Sequence, residues 1–308
     1  MKENSYLNVR NGIIEGHLSV SFAQCVALQL PCAIKLIFDH FTARHHHRHR
    51  LRFAISPLRG PETTALSPSP PSHPFSYRME QYWRGSSVNK NEGMVQHLQT
   101  YGIIKSKKVA EVMENIDRGL FVPEGTTPYV DSPLQIGYNA TISAPHMHAM
   151  CLELLENYLK PGMHVLDVGS GTGYLTACFA VMVGAQGRTV GVEHIPQLAE
   201  FSIKNIEKSS AATLLKEGSL SIHVTDGREG WPEFAPYDAI HVGAAAPEIP
   251  PKLIEQLKQG GRLVIPVGKF CQDLKVVDKN TDGTLNIHSE TSVRYVPLTS
   301  REAQLRGR

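Results

Sequence analysis

The stretch "HVLDVGSGTGYL" (residues 164–175) constrains the fold more than any other part of the chain. An apolar run of strand character ends in Gly169, Gly171 and Gly173, and a helical pattern starts at once with Tyr174. Glycines at such a turn let the backbone approach a ligand closely, and the helix start offers unpaired N–H groups. After a helix over 174–183, strands and helices alternate: "TVGVEH" (189–194), a helix over 196–208, "LSIHVTD" (220–226), "YDAIHVG" (237–243), a helix over 251–258 and "RLVIPVG" (262–268). That order predicts an α/β fold with a parallel, doubly wound sheet and helices on both faces. Two amphipathic runs, 89–100 and 106–116, precede it, the second with Ser106 as N-cap. The tail, "DLKVVDKNTDGTLNIHSETSVRYVPL", turns to β-type alternation with a hairpin signal at Asp282-Gly283.

A chain of 308 residues with 41% hydrophobic content can bury a sizeable core. Its formal charge of +2 hides an asymmetry, because residues 1–78 carry nine Lys/Arg against four Asp/Glu and residues 79–308 carry 22 against 25. The mildly acidic body lacks the basic face that phosphate backbones require, which argues against a nucleic-acid partner. Cys25, Cys32, Cys151, Cys178 and Cys271 show neither paired nor metal-ligand spacing, so a reducing compartment is expected and no metal. Leu18 to Phe38 is apolar but broken by Gln24, Gln29, Pro31 and Lys35, a poor membrane span. It reads equally as a buried or interfacial element or as plain disorder or transit sequence. "RHHHRHRLRF" (44–53) and a Pro/Ser-rich linker then place a boundary near Arg78, with Met79 a candidate second start. Residues 1–78 are expected to be a largely disordered, targeting-like extension and residues 79–308 the folded domain.

The glycine run is G-x-G-x-G, with Tyr174 where a dinucleotide fingerprint would need glycine, and it is preceded by Asp167. It resembles the S-adenosyl-L-methionine site of class I methyltransferases. An acid beside the loop suits a ligand with an ammonium and a sulfonium in place of a pyrophosphate. Ser170 and Thr172 fill the loop between the glycines. Glu193 ends the next strand, where an acid can accept hydrogen bonds from both ribose hydroxyls, and Asp226-Gly227 ends the third, near the adenine amino group in the methyltransferase pattern.

The acceptor is first narrowed by exclusion. After the fourth strand stands "GAAAPEIP" (243–250), not the Asn/Asp-Pro-Pro-aromatic loop of amino methyltransferases, and no Pro-Cys pair suits attack on cytosine. "VDSPLQIGYNATISAPHMHA" (130–149) reads as a loop through Gly137 and Asn139 leading into a helix capped by Ser143 or Ala144, with Pro145 in its first turn. Free N–H groups there, with the Ser143 hydroxyl, form a cradle suited to a carboxylate. A carboxylate, with a reference pKa of roughly 3.5 to 4, can attack a sulfonium methyl without a general base.

From Met79 onward, these segments together with "DGREGWPEFAPYDAIHVGAAAP", "GGRLVIPVG" and "YVPLT" closely resemble the protein-L-isoaspartate O-methyltransferases, most like their plant branch. The resemblance implies a class I, Rossmann-like fold with N-terminal helices and a β-rich C-terminal part. It implies methyl transfer from S-adenosyl-L-methionine to the α-carboxylate of L-isoaspartyl residues in aged proteins, whose ester collapses to a succinimide and is partly repaired. Ala140, Thr141, Ile142 and Ser143 fall on the family's active-site and cofactor positions, with Ser143 catalytic, and His148 and Thr299 on further cofactor positions. Asp131, Ser132, Tyr295 and Val296 fall beside the peptide site. The family implies a monomer without membrane association. A cytoplasmic location is expected, or a plastid or nuclear one if residues 1–78 act as an address. Two other readings stay open at this stage: a class I methyltransferase with another acceptor, and a non-enzymatic S-adenosylmethionine-binding adaptor.

Overall fold

The computed structural model describes residues 89–307 and, before them, two paired two-residue strands, Val9–Arg10 and Ile13–Ile14. The chain divides into two units, Met1–Ser69 and Pro70–Arg308, and every element below belongs to the second. The expectations for Leu18–Phe38, for the His/Arg tract with its linker, and for the boundary at Arg78 lie outside the described residues. No helix among the described residues is long and apolar enough to cross a membrane.

The two amphipathic runs form α1 (Asn91–Thr100) and α2 (Lys107–Asn115), which bury Met94, Val95 and Leu98 against Val109, Val112 and Met113. Ser106 caps α2 as expected, its hydroxyl accepting from Lys108 N at 3.1 Å. Asn91 is buried at the other end of the pair, where its amide donates to the carbonyls of Met113 and Glu114 at 2.8 and 3.0 Å.

The segment expected to be a loop before the next helix is a hairpin instead, β1 (Leu134–Gly137) and β2 (Ala140–Ile142). Its turn places Tyr138 and Asn139 at φ +52° and +56°, the left-handed pair that a two-residue hairpin turn demands. A tyrosine there is unfavourable by local sterics, so the sequence signals a loop but not this two-residue turn. Long-range bonds hold the turn: Asn139 Nδ2 donates to Gln304 O at 2.8 Å, and Gln304 Nε2 to Tyr138 O at 3.0 Å. Helix α3 (Pro145–Leu155) follows, with Ala144 at the N-cap and Pro145 in the first turn.

Next come β3 (His164–Val168), α4 (Tyr174–Val183), β4 (Arg188–Glu193), α5 (Pro196–Glu207), the short α6 (Ala212–Lys216) and β5 (Leu220–Val224). After them run β6 (Tyr237–Val242), α7 (Pro251–Gln256), β7 (Leu257–Val267), β8 (Gln272–Lys279), β9 (Leu285–Val293) and α8 (Arg301–Leu305). The sheet order is β9-β8-β7-β6-β3-β4-β5, parallel from β7 to β5 and antiparallel where β8 and β9 extend it. The hairpin signal at Asp282-Gly283 lies between β8 and β9, as expected. Alternation along the strands feeds two cores. Val165, Ala239 and Val264 face the α1–α4 side, while Leu166, Ile240 and Leu263 face the side of α7. The chain leaves β3 toward β4 on one side and returns to β6 on the other, so a crevice opens at the carboxyl ends of β3 and β6.

Among the described residues, Cys151 and Cys178 are buried free thiols.

Candidate active site

The glycine loop leaves β3 at that crevice. Gly169 N and Ser170 N donate to Val192 O at 2.9 and 3.1 Å, which fastens the loop to β4. Gly173 caps α4 at φ +89°, and a Cβ there would stand 3.0 Å from Ser202 Cβ and 3.1 Å from Ile206 Cδ1, so only glycine fits. The hydroxyls of Ser170 and Thr172 are buried and have no hydrogen-bond partner among the described residues. Buried hydroxyls are ordinarily satisfied, so two orphans in one loop mark a surface shaped for a polar ligand.

The acids at the strand ends behave differently from one another. Glu193 is buried, its two oxygens accepting from Gly171 N and Ile195 N, both at 3.0 Å. Burial raises its pKa, and those two amides oppose the rise. Asp167 is buried too, accepting from Thr176 Oγ1 at 2.5 Å and pairing with His241 Nδ1 at 2.8 Å. Burial alone would lower His241, but Cys151 and Asp167 beside it carry it up to about 10. Asp226 is partly exposed and gripped by Arg228, whose hydrogen bond holds its carboxyl below the usual range. Gly227 packs flat on β3, since a Cβ there would meet Val168 Cγ1 at 2.6 Å.

One cavity is lined by Asp167 and 169–172 from the loop side, by Thr141, Ile142, Ser143 and His148 from the hairpin and α3, and by His241 and Gly243 from β6. Ala140 is buried behind this wall. Burial pushes the Tyr295 phenol well above the ordinary range, with Cys151 adding to the rise and Ser143 opposing it. Tyr295 is held in turn by Gln272, which accepts from its N–H at 2.6 Å and donates to its carbonyl at 3.1 Å. Val296 O and Leu298 N bond across to Ala245, both at 2.8 Å, so the 295–298 segment lies beside the end of β6. Thr299 follows it, half-buried, just before the Ser300 cap of α8, and it does not line the cavity.

The cradle expected at the start of α3 is partly filled by the chain itself. Asp131 enters it: its Oδ1 accepts His146 N at 2.8 Å and its Oδ2 meets His146 Nδ1 at 2.7 Å, while Met147 N and His148 N turn back to Ala144 O. A carboxylate at a helix N-terminus is stabilised by the helix dipole, and this chain supplies its own. What that cradle leaves at the cavity is Ser143. Ser132 sits in the adjoining turn, its hydroxyl meeting only the Pro133 carbonyl at 3.4 Å. Among the described residues no three His, Cys, Asp or Glu side chains gather as a metal site.

Sequence reasoning missed Arg118 and His241. His241 left a signal, a polar residue inside the all-buried strand β6. Arg118 left none, since nothing in "IDRGLF" marks its arginine as the fully buried one.

Comparison with known proteins bears on the whole of this architecture. The family described as protein-L-isoaspartate(D-aspartate) O-methyltransferase matches residues 89–303. Protein-L-isoaspartate O-methyltransferase 1 of Arabidopsis thaliana is 71% identical over 229 residues, which are 74% of this chain and 100% of the relative. The Caenorhabditis elegans protein-L-isoaspartate O-methyltransferase is 47% identical over 224 residues, 72% of this chain and 97% of the relative. The beta-aspartate methyltransferase of Plasmodium falciparum, solved in complex with S-adenosyl-L-homocysteine, superposes with a TM-score of 0.63 at 34% identity, covering 68% of this chain and 99% of that one. This chain belongs to the protein-L-isoaspartate(D-aspartate) O-methyltransferase family.

Proposed function

We propose that the chain binds S-adenosyl-L-methionine along the 169–173 loop and methylates the α-carboxylate of L-isoaspartyl residues in damaged proteins, beginning their repair. The observation that carries the reading is the single cavity lined jointly by the glycine loop and by Thr141–Ser143. The residues fit the cofactor: two orphaned hydroxyls await polar partners, Gly173 admits no side chain, and Glu193 stands where ribose hydroxyls would need an acceptor. Bound there, the cofactor supplies an electrophilic methyl group on a sulfonium. Ala140, Thr141, Ile142, His148, Asp167, Asp226, Gly227 and Thr299 complete its surroundings in this proposal.

The chain's own contribution is placement. Ser143 donates to the acceptor carboxylate, which is ionised at neutral pH and needs no base. Asp131 fixes the start of α3, and thereby Ser143, instead of touching substrate, while Ser132, Tyr295 and Val296 border the peptide. Holding nucleophile and methyl group in line, away from water, can contribute on the order of 7 kcal/mol or more. Once the ester forms, the next backbone nitrogen closes on its carbonyl and methanol leaves, a step that asks nothing of the protein. Residues 79–308 are proposed to act as a monomeric unit in the cytoplasm, with residues 1–78 an address for plastid or nucleus in the alternative.

The test is transfer of labelled methyl to paired peptides bearing L-isoaspartate or L-aspartate, by the full chain, by residues 79–308 and by Ser143→Ala. Base-labile label on the isoaspartyl peptide alone, falling roughly a hundredfold in the variant, is expected. Cofactor binding without transfer would redirect the reading to another acceptor or to a non-enzymatic adaptor.

A further inference from the structure

Arg118 is wholly buried in a 3₁₀ turn (Arg118–Phe121), yet among the described residues no carboxylate lies within ion-pair reach of it. Its fork is filled by neutral acceptors: Nε donates to Pro128 O at 2.8 Å, one terminal nitrogen to Ser143 O at 2.8 Å, and the other meets His148 Nδ1 at 3.0 Å. The Tyr174 ring lies 5.8 Å away, beneath the guanidinium. Asn91 Oδ1 accepts from the Arg118 backbone N–H at 3.3 Å, which anchors the turn to α1. Burial draws the guanidinium down to about 10, still charged at neutral pH. Isolated buried cations are costly, and one retained beside a reactive turn points to a function.

Chemistry settles one detail of this contact. A guanidinium has only donors, so the His148 nitrogen facing it must accept, and a neutral imidazole with an accepting Nδ1 carries its proton on Nε2. We propose that Arg118 is a positioning residue that locks His148 as the Nε2–H tautomer while holding the Ser143 carbonyl, so that one buried side chain sets both the cavity's ring donor and the catalytic turn. The inference rests on the cofactor site proposed above. With Nδ1 engaged, Nε2–H is the donor His148 has left for the cavity it lines.

The groups facing His148 agree. The Tyr174 ring lies tilted against it from α4 at 4.9 Å between ring centroids, Arg118 and His241 approach from the 3₁₀ turn and β6, and His146 lies on its own helix. Burial first, then these three cations or potential cations, hold its pKa well below the ordinary value. Asp131, which acts on Arg118, is bonded to His146. The ring therefore keeps one tautomer throughout the neutral range.

Two-bond proton–nitrogen spectra of the full chain labelled with [15N]histidine test this, with the His148 signal identified by its loss in His148→Gln. The wild-type ring should show protonated Nε2, unchanged from about pH 5.5 to about 8.5. In Arg118→Met the ring should titrate or mix tautomers, and affinity for S-adenosyl-L-homocysteine should fall on the order of tenfold. A wild-type ring protonated on Nδ1, or titrating in that range, overturns the inference even if the variant does not fold. So does a folded Arg118→Met with tautomer and affinity unchanged. Failure of isoaspartyl methylation with the tautomer intact would instead strike only the proposed acceptor.

Discussion

The two walls of the cavity are built on opposite rules. On the acceptor wall the polar groups that shape it are matched inside the chain: Asp131 with His146, Arg118 with Ser143 O and His148, Tyr295 with Gln272. Beneath the loop, Asp167 is likewise closed by Thr176 and His241. On the cofactor wall the hydroxyls of Ser170 and Thr172 are buried and have no hydrogen-bond partner among the described residues. A wall that must aim a reacting group is fixed before the ligand arrives, whereas a wall that must hold a ligand keeps hydrogen-bonding capacity open for it. Changes on the closed side should thus cost stability first, with Arg118 costing affinity as well because it sets the His148 donor, and changes on the open side should cost affinity alone.

The hardest blow to the closed side is His241→Leu, which leaves the Asp167 carboxylate buried without its cationic partner. Breaking a buried pair typically costs about 3 kcal/mol or more, measurable by urea unfolding. The sign with pH follows from the direction of the shift. His241 is raised from 6.5 to about 10, so its stabilisation is fully present below 6.5 and disappears as pH rises through about 10. The gap between wild type and variant should narrow over that window. A variant as stable as wild type that had lost only cofactor affinity would break the contrast.

Asp131→Ala should have a smaller effect on the same side. It strips the helix cap and the carboxylate at the dipole of α3, together worth about 1–2 kcal/mol. Because the start of α3 positions Ser143, kcat for the isoaspartyl peptide should fall while affinity for S-adenosyl-L-homocysteine holds. An equal loss in both would mean that the two walls are not separable.

The same division explains what could be read from sequence. The closed sheet and its glycine loop were legible because they obey local rules: α4 begins and ends where its helical pattern does, at Tyr174 and Val183, and β3, β4 and β6 fall on their apolar runs. The hairpin was not legible, since Tyr138 at positive φ contradicts local preference and is held by Gln304 from the far end of the chain. Asp131 could be placed near the site but not understood, because its capping role joins residues 15 apart in sequence. Arg118 joins residues 25 and 30 positions away, and no period or spacing records such a bond. Motifs thus located the cofactor wall, while the long-range bonds that stiffen the acceptor wall needed coordinates.

The subtlest change, on the open side, carries the opposite sign. Ser170→Ala and Thr172→Val each remove a buried hydroxyl that the described residues leave without a partner. An unmatched buried hydroxyl destabilises the ligand-free chain, so its removal should leave stability unchanged or raise it by up to about 1 kcal/mol. The same hydroxyl would be repaid by a hydrogen bond to the cofactor, so each variant should bind S-adenosyl-L-homocysteine roughly fivefold to tenfold more weakly. Thermal unfolding with and without that ligand measures both quantities on one sample, because a ligand that binds only the folded chain raises its melting temperature in proportion to affinity and concentration. Destabilised ligand-free variants would show that the loop is closed after all, and would leave Glu193 and the backbone as the principal contacts for the cofactor.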